Sequence, residues 1–248
     1  METKRFEAPV EITKGGTHTY CPGCGHGIAC RLIFEVLEEM GQMDNQIMVN
    51  DVACDAIIYS ILDTDFIGGA HGRIVPTACG VKRVRPENLV YAYVGDGATY
   101  SIGMQHTIHA AARDENITVI VVNNTVYGMT GGQMSPETLI GQKTTSSVKG
   151  RDSKANGNPI NVVDLYHNMD IAYLARGSLD SAPNINKTKK YIRKAFEKQM
   201  AGEGFTFVEI LSPCPTNWNM TPLDAMKRLK EEVAEFYTIG EFIERSKN

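Results

Sequence analysis

The chain has 248 residues, 42% of them hydrophobic, and a formal net charge of −4, enough for an α/β fold with a large core. Its basic residues are neither in excess nor clustered, which argues against a nucleic-acid partner, and no apolar run approaches the roughly 20 residues of a membrane helix. The start, METKRFEAPVE, lacks the apolar core of a signal peptide, so a cytoplasmic location is expected, with the six cysteines as ligands or core thiols rather than disulfides.

Residues 1–19 show no periodicity and read as an extended arm. In YCPGCGHGIACRLIFEVLEEMG, residues 20–41, Ile28, Leu32, Ile33, Val36, Leu37 and Met40 form one apolar helical face and Gly41 is a stop. Cys21 and Cys24 precede that helix, whose dipole is expected to lower their pKa values. A thioredoxin-like pair should follow the first strand of its own small fold. Structural zinc needs four close ligands, and an iron–sulfur cluster needs two thiolates from elsewhere. The spacing alone leaves all three open.

Residues 47–52 are apolar apart from Asn50 and Asp51, and place Cys54 at a strand end or turn. HGRIVPTACGVKRVRP, residues 71–86, predicts a helix through Ile74, Thr77, Ala78, Val81 and Lys82 that ends at Arg85-Pro86. The runs 89–94 and 117–122 are short and rich in Val, Ile and Tyr, as in buried strands. Between them Ile102, His106, His109 and Ala110 recur at helical steps. Strand, helix and strand make a βαβ unit with parallel strands. Gly95-Asp96-Gly97 and Asn123-Asn124 then lie at strand carboxyl ends, where open α/β sheets bind ligands.

A carboxylate and an amide oxygen suit Mg²⁺, which completes its octahedron with phosphate oxygens and water. Gly97 lets the main chain approach a phosphate, and a helix N-terminus follows. Either dipeptide alone reads more simply as a turn; together on linked strands they point to a magnesium diphosphate. His106 and His109 have no third ligand at matching spacing and read as packing residues.

Residues 127–136, YGMTGGQMSP, are a glycine-rich loop placed to close over that ligand, and 141–159 reads as a mobile surface loop. Strands are predicted at 171–175 and 205–211, a helix at 187–200, and a last helix at 222–237 with Pro222 at its first position. Cys214 follows the later strand between Pro213 and Pro215. Cys30 and Cys79 fall in helical patterns and read as core thiols, which leaves Cys21, Cys24, Cys54 and Cys214 as one candidate set. No repeat or composition break divides the chain, so 1–248 reads as a single domain with an N-terminal CPGC segment and a C-terminal helical tail.

GDG followed by NN at this spacing resembles the thiamine diphosphate motif. The longer string GDG…HAAARDENITVIVVNNTVYGMTGGQMSP resembles the β subunit of 2-oxoacid:ferredoxin oxidoreductases, closest to the 2-ketoisovalerate type, over roughly residues 20–220. That resemblance implies a thiamine diphosphate-binding α/β fold with a mostly parallel sheet flanked by helices. It implies Mg²⁺ held by Asp96, Asn124 and the Val126 carbonyl. Gly97, Ala98, Gly128 and Met129 would line the diphosphate and thiazolium, joined by Val52, Ala53, Asp55, His71 and Gly95. Cys21, Cys24, Cys54 and Cys214 match the cysteines that bind one [4Fe–4S] cluster in the family. His71-Gly72-Arg73 matches its HGR, which makes His71 and Arg73 catalytic candidates.

The implied reaction is oxidative decarboxylation of a 2-oxoacid to acyl-CoA and CO₂, with electrons passed through the cluster to ferredoxin. The implied partners are an α subunit carrying the pyrimidine-binding domain, ferredoxin or a ferredoxin-like subunit, coenzyme A and the 2-oxoacid. Relatives using 2-oxoglutarate commonly carry a basic residue where this chain has Ile57, so 2-oxoisovalerate is the expected substrate and 2-oxoglutarate the alternative. Asp55 departs from the small polar residue usual at its position. A reading from another class is a zinc- or cluster-binding assembly module without thiamine chemistry. A nicotinamide enzyme is disfavoured because no G-x-G-x-x-G opens a helix after a strand.

Overall fold

In the computed structural model, Pro9 and residues 18–246 are described; the expected arm at 1–19 lies almost wholly outside them. The first half contains α1 (His26–Glu39), β1 (Gln46–Asn50), β2 (Phe66–Gly68), α2 (Ile74–Val84), β3 (Leu89–Gly95), α3 (Met104–Ala112) and β4 (Thr118–Asn123). A short antiparallel ribbon follows, β5 (Val126–Tyr127) with β6 (Gln133–Met134). Then come α4 (Ser153–Asn156), α5 (Val162–Tyr166), β7 (Tyr173–Ser178), α6 (Ala182–Met200) and β8 (Thr206–Leu211). The chain closes with α7 (Pro215–Trp218), α8 (Pro222–Arg228), α9 (Ala234–Phe236) and β9 (Gly240–Glu244).

The main sheet has seven strands in the order β2-β1-β3-β4-β8-β7-β9, all parallel except the antiparallel edge strand β9. Helices cover both faces, so its central strands are apolar on both sides rather than alternating with polar residues. Tyr91 and Tyr93 of β3, Ile120 and Val122 of β4, and Val208 and Ile210 of β8 point into one core with α1 and α6. Their neighbours Val90, Ala92, Val94, Val119, Val121 and Phe207 point into the opposite core with α2, α3 and α5. That is the two-residue period of a strand expressed across one sheet. From β1 the connections run to β2 on one side, then back across to β3. The crevice at the carboxyl ends of β1 and β3 is therefore a switch point of the kind where doubly wound sheets bind ligands.

The predicted βαβ unit forms with β3 and β4 adjacent and parallel, but the connecting helix opens with a π-helical turn, Ala98–Ile102, before α3 begins. The predicted last helix is also divided, by a π-helical turn at Leu229–Val233; Pro222 does stand at its first turn. After β1 the chain leaves the sheet earlier than expected, because the Asp55 carboxylate accepts from Asn50 Nδ2 (2.9 Å) and Asp51 N (3.0 Å) and turns it into a 3₁₀ helix, Cys54–Ser60. The segment 141–159, expected as a free surface loop, is tied down. Buried Arg151 donates to the carbonyls of Ser135, Pro136, Thr138, Asn156, Gly157 and Asn158. Among the described residues no helix is long and apolar enough to cross a membrane.

Candidate active site

Three strand ends converge on one cavity of about 230 Å³. Val52, Ala53, Cys54 and Asp55 reach it from beyond β1, Gly95 through Ala98 from the end of β3, and Asn124 and Val126 through Thr130 from beyond β4. His26 and His71 complete the lining. Every residue expected to touch the cofactor is thus in one wall or another. Arg73 is not: its guanidinium bonds the carbonyls of Gly72 (3.2 Å) and Ile102 (3.1 Å).

Asp96 is 4% exposed. One carboxylate oxygen accepts from Gly97 N (2.7 Å) and the other from Asn124 N (3.1 Å), which brings the two dipeptides into direct contact. Burial raises its pKa to about 7, against the opposing effect of main-chain N–H donors. The Asn124 amide oxygen accepts from Val126 N (3.3 Å), and its carbonyl accepts from Trp218 Nε1 (3.0 Å).

Asn123 faces away from this contact and anchors it. Its amide donates to Glu209 (2.9 Å), which also accepts from Tyr100 OH (2.7 Å) and is ion-paired to buried Arg176. Its oxygen accepts from Thr125 N (3.1 Å). Thr125 has φ 63, a left-handed conformation costly for a β-branched residue. Thr138 Oγ1 (2.6 Å) and Gln142 Nε2 (3.3 Å) both donate to its carbonyl and hold it there. The Arg151-braced segment therefore fixes the turn that presents Asn124 and Val126.

Close packing dictates the glycines. A Cβ on Gly97 would stand 2.4 Å from the Tyr127 ring, and one on Gly128 would stand 3.2 Å from Cys54 Sγ. The Cys21–Cys24 turn is closed by Cys24 N donating to Cys21 O (3.0 Å). It lies against the Cys214 loop, where Cβ atoms on Gly23 and Gly25 would meet Pro222 at 2.6 Å and Ser212 Oγ at 2.2 Å. Asn217 joins the loops by donating to the Gly128 carbonyl (2.9 Å) and to Cys214 Sγ (3.4 Å).

The four candidate thiols act on one another electrostatically. Burial pushes Cys24 and Cys54 up to about 12, with further upward contributions from Cys21 and Cys214 to both. Cys214 is raised too, first by burial. This corrects the expectation for Cys24 that the α1 dipole lowers the thiol pKa: desolvation outweighs it. Among the described residues no three His, Cys, Asp or Glu side chains stand close enough together to hold one metal ion. A four-iron cluster is a larger body whose ligands stand further apart, and it would take the thiols as thiolates. Cys30 and Cys79 are core thiols as expected, Cys30 between the hydroxyls of Tyr20 (3.5 Å) and Tyr93 (3.4 Å).

Three cavity residues were not singled out in the sequence: His26, Tyr127 and Thr130. His26 directly follows the CPGCG turn, which is the signal that was available. It is fully buried, Nδ1 lies 2.9 Å from Tyr93 OH, and burial lowers its pKa to about 4.

Residues 51–210 match the family model described as thiamine pyrophosphate enzyme, C-terminal TPP binding domain, which makes this a thiamine diphosphate-binding domain. Ketoisovalerate oxidoreductase subunit VorA of Methanothermobacter marburgensis is 41% identical over 239 residues, 94% of this chain and 50% of that protein. 2-Oxoglutarate synthase subunit KorB of Archaeoglobus fulgidus is 33% identical over 212 residues, 86% of this chain and 75% of that protein. The chain belongs to the 2-oxoacid:ferredoxin oxidoreductase family. It spans about half the length of the VorA relatives it matches. The solved 2-oxoglutarate:ferredoxin oxidoreductase of Magnetococcus marinus shares the fold, with a TM-score of 0.76 at 23% identity over 100% of this chain and 88% of that one.

Proposed function

We propose that this chain is the diphosphate-binding β subunit of a 2-oxoacid:ferredoxin oxidoreductase that oxidatively decarboxylates 2-oxoisovalerate to acyl-CoA and CO₂. The observation that carries this reading is a single cavity lined both by the Asp96–Asn124 contact and by Cys54. The residues fit a magnesium diphosphate: Asp96, Asn124 and Val126 all line the cavity, and a carboxylate, an amide oxygen and a main-chain carbonyl are hard oxygen donors. Gly97 and Gly128 line the cavity beside them. When bound, thiamine diphosphate supplies the electron sink that decarboxylation of a 2-oxoacid requires.

The protein's own part is to bind and orient. Asp96 and Asn124 fix the metal, while Ala98, Met129 and Val52 offer apolar surface for a ring. Cys21, Cys24, Cys54 and Cys214 would hold a [4Fe–4S] cluster, which would supply one-electron acceptor chemistry to the site. His71 lines the cavity and Arg73 braces the turn beside it. An α subunit supplies the pyrimidine side of the cofactor.

Ile57 packs against the α1 core and is not among the lining residues, so the substrate reading rests on other grounds. Among the described residues none that lines the cavity is Lys or Arg, so none of them offers a cation to a second substrate carboxylate there, and the likeness to the ketoisovalerate subunit is the greater. The test is anaerobic purification of the chain with its α subunit, followed by iron, sulfide and thiamine diphosphate assays and kinetics. The expected result is about four irons and one thiamine diphosphate per chain, with kcat/KM higher for 2-oxoisovalerate than for 2-oxoglutarate. Bound cluster without thiamine would establish the assembly-module reading instead, and the reverse substrate order would reject the branched-chain assignment.

A further inference from the structure

Beyond β1 the cavity wall is backed by a carboxylate that makes no contact with the cavity. Asp51 is 0% exposed. Its main chain is fixed on both sides, with N donating to Asp55 Oδ2 (3.0 Å) and O accepting from Tyr59 OH (3.3 Å). Its Oδ2 lies 2.8 Å from His71 Nδ1, while its Oδ1 has no hydrogen-bond partner among the described residues. His71 stands on the other side of that contact with a side chain 42% exposed, and it lines the cavity. The next residue, Gly72, has φ +72, and a Cβ there would meet Ile102 at 2.3 Å. The turn carrying the imidazole is therefore as tightly placed as the acid behind it.

We infer that Asp51 is a positioning residue that holds His71 as the Nδ1–H tautomer and leaves Nε2 as an acceptor for a donor group of the cavity's ligand. An ionised carboxylate only accepts hydrogen bonds, so the imidazole nitrogen facing it must carry the hydrogen. The second nitrogen is then a lone pair, and its orientation is set by the buried partner. Neutral His71 held this way takes a hydrogen bond from a ligand N–H or O–H and cannot give one to a ligand carbonyl. This deepens the reading of the cavity as a thiamine and 2-oxoacid site and rests on it for the identity of the ligand; the tautomer itself does not.

Ring-¹⁵N histidine spectra of the full chain test it, with His71→Gln assigning the resonance. Wild type should show Nδ1–H at His71, and Asp51→Ala should shift it toward Nε2–H. Should that variant fail to fold, Asp51→Asn keeps the volume and offers a donor as well as an acceptor, so the Nε2–H form should appear there too. A wild-type Nε2–H tautomer, or one indifferent to both substitutions, overturns the inference. In the complex with the α subunit, Asp51→Ala should lower kcat about 10- to 100-fold with little change in KM. Asp51→Ala combined with His71→Ala should be no slower than His71→Ala alone, and additive losses would also overturn it. Failure of the wild-type complex to bind thiamine diphosphate would reject the function above while leaving the tautomer result standing.

Discussion

Asp96 offers the sharpest test of the site, because its burial makes a signed claim about pH. Its pKa rises from 3.8 to about 7 on folding, so the folded chain retains a proton that the unfolded chain releases near pH 4. The stability this contributes is complete below the unfolded pKa and is lost as pH rises through the folded one. The full linkage is about 4 kcal/mol, of which about 3 kcal/mol falls between pH 4.5 and 8. Asp96→Asn removes the titration. It also sets an amide NH₂ against one of the two main-chain donors, Gly97 N or Asn124 N, a pH-independent loss of about 1–3 kcal/mol. Unfolding of the full chain, free of magnesium and thiamine diphosphate, is measured for both proteins across that range. Carboxylates held low by lysine, such as Glu39 and Glu241, cancel in the difference, whereas the buried Glu137 carboxyl, held high by burial and then by Asp96, is partly relieved in the variant and adds to it. Wild type should lose about 3 kcal/mol relative to Asp96→Asn, or about 6–12 °C in melting temperature. Parallel curves for the two proteins would refute the assignment of a buried, proton-retaining carboxyl at this strand end.

Three further outcomes are expected. Magnesium affinity measured by calorimetry with thiamine diphosphate should rise by up to about tenfold per pH unit below pH 7, since the ion must displace the Asp96 proton. Alanine at Cys21, Cys24, Cys54 or Cys214 should abolish or strongly reduce bound iron and labile sulfide, while Cys30→Ala and Cys79→Ala should retain both. Arg176→Met leaves buried Glu209 without its cation and should cost about 3–5 kcal/mol in urea unfolding, much of it recovered by adding Glu209→Gln.

The parts of this molecule written in single-residue period and in short motifs were legible in the sequence. The parallel core of β3, β4 and β8 was visible as apolar runs, because strands covered on both faces cannot carry polar alternation. The choice of four cysteines among six followed from setting aside the two in helical patterns, and in the fold Cys30 and Cys79 are indeed core thiols. The edge strand β9 was missed: its burial is partial, and it is held by antiparallel pairing with β7 rather than by a run of apolar residues. The thiol pKa of Cys24 went the wrong way for a related reason, since a helix N-terminus is readable from sequence but depth of burial is not. Segment 141–159 looked free because its polar residues gave no sign that Arg151 would collect six carbonyls.

The two adjacent asparagines show why such long-range placement matters to the chemistry. They are indistinguishable in sequence, yet consecutive side chains leaving a strand face opposite ways, so only Asn124 reaches the cavity. Asn123 is spent on the Glu209–Arg176 pair and on the Thr125 amide. Thr125 could relax out of its left-handed conformation if nothing opposed it, and Asn124 and Val126 would move with it. What opposes it arrives from two directions: Asn123, braced through Glu209 by β7, and the Thr138–Gln142 turn, braced by Arg151. The metal-ligand geometry expected at the end of β4 is therefore a property of segments more than a dozen residues away, and substitutions there should act on the cofactor without touching it.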